Sequence, residues 1–307
     1  MNSLAVARYQ FNFEVQDALH LNFYSGSMLR GVFGHALRHL ACMTKMPDCK
    51  ICPLYRSCPY PEVFETPPPE HHPLQDFSQI PPPYVIEPPP LGDKVYRSGE
   101  TLSFSMVLMG RAIQQLPLII FAWQRAFARG VSKSESRAKL VDVIFEPNQA
   151  QQKIVFTASE TDTVKEHLSF IHTQTHSNDT LTLEVLTPLR IQQKGRVLSK
   201  DMQGRDFIMS LVRRYYLLEE FHGEDYQPPN FSELAEHARA VNCETNFTWC
   251  SWDRYSNRQQ QKITMGGVLG EITLTGELEP FLPLLHFGQW LHVGNKTSFG
   301  MGNYAIS

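Results

Sequence analysis

The sequence predicts an α+β protein built from two βαββαβ halves in tandem. Three observations lead there. Segments whose apolar residues alternate with a period of two are interleaved with segments whose apolar residues recur at helical spacing. The order strand, helix, strand, strand, helix, strand runs twice, which is the ferredoxin-like series. A chain of 307 residues, 42% hydrophobic and 19% charged, exceeds one minimal core and suits two modest ones. The expected halves are residues 1–178 and 179–307. No sequence identity joins them, so the repeat is one of topology.

The first half opens on Leu4 to Val15, where Val6, Tyr9, Phe11, Phe13 and Val15 give the alternation of a half-buried strand. Ser25 to Leu40 follows as a helix with Leu29, Phe33, Ala36, Leu37 and Leu40 on one stripe. Thr101 to Met109 alternates again, Ala112 to Arg129 is a second helix, and Lys139 to Phe145 and Lys153 to Thr157 are strands. Glu160 to Asp179 is polar and reads as the junction. In the second half Thr180 to Pro188 is a strand and Phe207 to Phe221 a helix. Phe247 to Tyr255 and Val268 to Gly276 are strands, Phe281 to Leu291 a helix, and Phe299 to Ile306 the closing strand.

An insertion of about 42–92 interrupts the first half. It carries four of the six cysteines, Cys42, Cys49, Cys52 and Cys58, in the spacing C-x6-C-x2-C-x5-C. Four thiolates complete a closed tetrahedral zinc shell, and Cys49 to Cys52 supplies a short knuckle. An iron–sulfur cluster accepts the same ligands, and free buried thiols are the plain alternative. Such a closed shell is a structural staple, not a catalyst. Twelve of the 21 prolines then fall between Pro59 and Pro90, a density that disfavours helix and favours an extended surface crossover.

No apolar run approaches the ~20 residues of a membrane span, and the first residues lack a secretory pattern, so a cytoplasmic protein without a membrane partner is expected. The net charge of −3 argues against indiscriminate nucleic-acid binding, but it is unevenly spread. From Glu62 to Glu100 seven acidic residues face two basic ones; from Arg190 to Arg214 seven basic residues face two acidic ones. The second stretch offers a local basic surface to a polyanion.

The most specific motif lies near the C-terminus, where Gly294, Gly300 and Gly302 are spaced G-x5-G-x-G between the last helix and the last strand. Glycines allow positive φ and close approach, so successive amides can form an anion-binding nest. A helix C-terminus is the wrong end for phosphate. Loop amides and the cations Lys296 and His292 would have to hold it. Together with Arg254-Tyr-Ser-Asn-Arg258, Met265-Gly-Gly-Val-Leu-Gly270 and Leu284-Leu-His-Phe-Gly288, this loop resembles the CRISPR repeat-processing endoribonucleases of the RAMP superfamily, in their C-terminal-domain subgroup. Leu29-Arg-Gly31, the cysteine cluster running into Cys58-Pro-Tyr, Pro188-Leu-Arg190 and Gly195-Arg196 extend the likeness over most of the chain.

The resemblance implies tandem ferredoxin-like (RRM/RAMP) domains that bind CRISPR repeat RNA and cut it without a catalytic metal. It also admits a catalytically silent RNA-binding subunit, association with other CRISPR effector subunits, and a homodimer. Metal-free cleavage needs a base for the 2′-hydroxyl, an acid for the 5′-oxygen and cations for the phosphorane; histidine suits the first two roles and Lys or Arg the third. In the resembling family the base lies on or near the first helix, which here carries His35 and His39. Counting ~100° per residue from Leu29, the apolar stripe centres near 20°, His39 falls at about 280° and His35 at about 240°. His39 thus borders the core while His35 faces solvent near Gly31, with Gly31 and Gly34 leaving the helix surface bare. His20 and Tyr24 on the preceding loop are reserve candidates. Arg190, Lys194 and Arg196 suit phosphate tracking, and Arg254 and Arg258 stand among aromatic stacking platforms, Trp249, Trp252 and Tyr255.

Overall fold

The computed structural model describes residues 4–71, 79–132, 134–148, 151–159, 163–167, 179–256 and 261–307. The chain folds as two compact units, residues 2–171 with 217–225, and residues 172–216 with 226–307.

In the N-terminal unit β1 (Val6–Val15) is followed by the short β2 (Leu19–Leu21), α1 (Gly26–Ala41), α2 (Pro59–Phe64), β3 (Tyr84–Glu87), β4 (Lys94–Tyr96), β5 (Thr101–Met109), α3 (Leu116–Arg129), β6 (Ala138–Asn148) and β7 (Gln151–Thr157). The main sheet has the order β3-β5-β1-β6-β7 and its pairings are antiparallel. That is a ferredoxin-like sheet with one added edge strand. The alternation in β1 puts Tyr9, Phe11 and Phe13 into the core, where Trp123 of α3 is fully buried. Phe33 of α1 stacks on Trp123 at 4.9 Å and Phe104 of β5 meets it edge-on at 4.6 Å. Each such side chain stabilises the unit by roughly 1.5–3 kcal/mol on burial.

The strand that the sequence reading omits is β3, inside the stretch assigned to the insertion. Among the described residues it pairs with β5 alone, as a sheet edge, so the prolines around it remove no ladder bond on the open side. The carbonyl of Pro83 accepts from the Met109 amide at 2.9 Å, extending the pairing. The insertion is therefore not wholly an insertion. Helix α2 is the second departure. Its prolines occupy the first turn, where no amide is needed, and Tyr60, Val63 and Phe64 are buried. Of the expected junction, residues 160–162 and 168–178 lie outside the described residues.

The C-terminal unit runs β8 (Thr180–Leu189), β9 (Gln192–Gln193), β10 (Arg196–Val197), α4 (Gly204–His222), α5 (Phe231–His237), β11 (Val241–Ser256), β12 (Gln261–Gly276), α6 (Leu282–Leu291) and β13 (Tyr304–Ile306). Its sheet order, β11-β12-β8-β13, is again ferredoxin-like. Leu181, Leu183 and Val185 of β8 and Ile272 and Leu274 of β12 form the buried face with Phe207, Leu211 and Tyr215 of α4. The β11–β12 hairpin is longer than its sequence pattern suggests, and α5 has no counterpart in that pattern. The closing strand is shorter, because Thr297–Phe299 winds into a 3₁₀ turn. Among the described residues no helix is long and apolar enough to cross a membrane.

Candidate nucleic-acid interface

Helix α1 buries Leu29, Phe33, Ala36 and Leu37 and turns His35 and His39 outward. Gly31, one turn before His35, is exposed, and a Cβ there would meet nothing within 4 Å. Gly34 behaves otherwise. A Cβ there would stand 2.2 Å from the Phe64 ring, so this glycine is a packing site for α2 and bares no surface. His39 does not border the core as the wheel suggests; it is exposed and accepts from an Arg129 guanidinium N–H, Nη2 to Nε2 3.1 Å. Arg129 foremost, then desolvation, Arg125 and His35, hold its imidazole below the usual histidine range, outweighing an opposing backbone bond. The ring is therefore neutral near pH 7, with its proton on Nδ1.

His20 is exposed at the centre of β2, paired with Val95. Tyr24 is corrected: it is 5% exposed, and burial pushes its phenol well above the usual range, so it offers nothing to a surface ligand. The sequence reading missed the outer face of α3. Phe121, 48% exposed, Arg125 and Arg129 follow at intervals of four, opposite the buried stripe of Ile119, Ile120, Trp123 and Phe127. The same helical period that located the core could have found them. His35 and His39 with Arg125 and Arg129 make a surface of imidazole and guanidinium groups, the types that move a proton and stabilise a charged phosphorane.

In the C-terminal unit the glycine loop is less a nest than a rigid plug. The amides of Val293, Asn295, Phe299, Gly300, Gly302 and Asn303 all donate inside the unit, to Gly302, Arg190, Lys296, Thr297 and Pro188 carbonyls and the Thr187 hydroxyl. At Gly294, φ is +84° and a Cβ would lie 2.6 Å from the Arg190 carbonyl; at Gly302, φ is +75° and a Cβ would lie 1.9 Å from the Val293 carbonyl. These glycines let the loop seat against the end of β8. Gly300 and Gly302 are buried and His292 is fully so, its Nδ1 3.2 Å from the Met301 carbonyl. They support the loop and cannot touch an RNA directly, which corrects their placement as contacts. The unfavourable C-terminal dipole of α6 is met from inside: the buried Arg214 Nε donates to the Leu291 carbonyl at 2.6 Å.

Exposed cations remain around it. Lys296 and Lys194 are exposed, both in the left-handed conformation (φ +65° and +50°). Arg190 is half-buried and donates to the Gly266 carbonyl at 2.7 Å, while Arg196 is engaged by Asp201. On the hairpin Trp252 is buried, whereas Trp249 is 54% exposed and lies across Gly266, where a Cβ would stand 2.4 Å from its ring. Of Arg254 only the backbone is described, and Arg258 lies outside the described residues.

Cys42, Cys49, Cys52 and Cys58 are all partly buried and line one cavity. Among the described residues no three His, Cys, Asp or Glu side chains stand ready to hold a metal ion.

Residues 4–168 match the model of an N-terminal domain family, AF_1859_N, and residues 183–304 that of the CRISPR-associated endoribonuclease Cas6. An uncharacterized protein of Archaeoglobus fulgidus is 25% identical over 297 residues, covering 94% of this chain and 93% of its own. Two solved Cas6 product complexes are similar in fold. One has a TM-score of 0.59 at 15% identity, covering 98% of this chain and 100% of the other; the second has 0.54 at 16%, covering 99% of each.

Proposed function

We propose that this chain, which carries an AF_1859-type N-terminal domain followed by a CRISPR-associated Cas6 endoribonuclease domain, cuts CRISPR repeat RNA without a catalytic metal. His35 takes the proton of the 2′-hydroxyl, and the 2′-oxygen attacks the adjacent phosphorus. The bond from phosphorus to the 5′-oxygen breaks, leaving a 2′,3′-cyclic phosphate, and the departing 5′-oxygen takes a proton from solvent to become a hydroxyl. Arg125 and Arg129 stabilise the phosphorane, and neutral His39 holds the Arg129 guanidinium in place. The supporting observation is the exposed His35 beside the open Gly31 surface of α1, the helix whose His39 pairs with Arg129 of α3.

The test is a labelled repeat RNA incubated with the full-length protein in EDTA. Cleavage that EDTA spares, and that a 2′-deoxy nucleotide at the cut site abolishes, is expected. Tight binding with no cut would instead make the chain a silent RNA-binding subunit of an effector complex.

A further inference from the structure

We propose that Cys42, Cys49, Cys52 and Cys58 bind one zinc ion that clips the end of α1 to the start of α2. The placement of the cysteines carries this. Cys42 is the C-terminal cap of α1 and Cys58 the N-terminal cap of α2, while Cys49 and Cys52 occupy the loop between them. All four face a single cavity. The Thr44 hydroxyl lies 3.3 Å from Cys52 Sγ and 4.0 Å from Cys42 Sγ, so one side chain of the loop reaches two of the four sulfurs. The Lys45 amide donates to Cys42 Sγ at 3.2 Å.

The loop is held by defined hydrogen bonds, although its sulfurs do not yet stand at metal-binding spacing. An Arg38 guanidinium N–H reaches the Met46 and Pro47 carbonyls at 2.8 and 2.7 Å, fastening the loop to α1. A tight turn joins Cys49 to Cys52, the Cys52 amide donating to the Cys49 carbonyl at 3.1 Å. Binding moves the Thr44 hydroxyl aside, draws the sulfurs to tetrahedral spacing and releases the thiol protons to buffer.

The clip would bear on the site next to it. His39 is three residues before Cys42, and Phe64 of α2 covers Gly34, the neighbour of His35.

The experiment is metal analysis of the full-length protein purified under reducing conditions without chelator. About one zinc per chain is expected, and cobalt exchange should give thiolate-to-cobalt absorption with the visible bands of a tetrahedral site. Cys49→Ser should retain less than about one-tenth of the zinc and melt at lower temperature. Three results would overturn the proposal: wild-type protein without zinc after incubation with the ion, a brown absorption with iron and acid-labile sulfide, or cobalt bands showing fewer than four sulfur ligands. The cobalt spectrum is read on the wild-type chain, so it decides the matter even if Cys49→Ser fails to fold.

Discussion

His35 and His39 sit one turn apart on α1 but meet different surroundings, and that difference can be measured. Arg129 donates to the His39 ring and its charge holds the imidazole low. Replacing Arg129 with Gln should raise the His39 pKa toward the ordinary histidine value of 6.5, read by NMR titration of the ring. The sign for stability follows. Above that ordinary value His39 is neutral whether folded or unfolded and contributes nothing. As pH falls through it, the unfolded chain takes up a proton that the folded chain resists, so this residue lowers stability toward acid. His35→Ala should slow single-turnover cleavage by ~10²–10⁴ with RNA affinity unchanged. Residue type and helical phase placed His35 on the solvent side of α1, where the structure has it, but gave nothing to set Tyr24 or His292 aside. Both of those are buried by tertiary packing that sequence spacing does not encode.

The glycine loop marks how far element-scale reading of this sequence reaches. Its spacing, G-x5-G-x-G, was legible as a special backbone, and positive φ at all three positions bears that out. What the backbone is for was not legible, because three of its amides find partners far off in sequence, at Thr187, Pro188 and Arg190. Gly302→Ala would force a Cβ onto the Val293 carbonyl at a left-handed residue and should cost at least ~1–3 kcal/mol, measured by urea unfolding. The hairpin carries the complementary prediction. Trp249 is exposed on β11 with its ring over Gly266, a flat surface for an unpaired base. Trp249→Ala should weaken repeat-RNA binding by ~1–3 kcal/mol without changing the melting temperature, because the ring packs little core. Strand β3 escaped the sequence reading for a different reason: prolines flank it, and only its edge position makes them tolerable.

A net charge of −3 requires that any grip on RNA by the whole molecule be local, and the architecture separates the available cations between two units. Arg125 and Arg129 stand on α3 of the N-terminal unit; Lys194 and Lys296 stand on turns of the C-terminal one. The basic stretch from Arg190 to Arg214 was visible in the sequence, yet it overstates the C-terminal share, because Arg196 is engaged by Asp201 and Arg214 is buried on a carbonyl. Each cation that neutralises a phosphate of single-stranded RNA contributes about −0.7 to the slope of log affinity against log salt. Arg125→Gln and Lys296→Gln should therefore each flatten that slope by ~0.7, and the double variant by ~1.4, since the two lie in separate units. The measurement is affinity for a repeat transcript across a salt series. If Lys296→Gln alone flattened the slope, the N-terminal histidine surface would lie off the RNA path and the role of His35 would fall with it. If Arg125→Gln alone did so, the C-terminal loop would be a scaffold only, as its internal hydrogen bonding already suggests for its glycines.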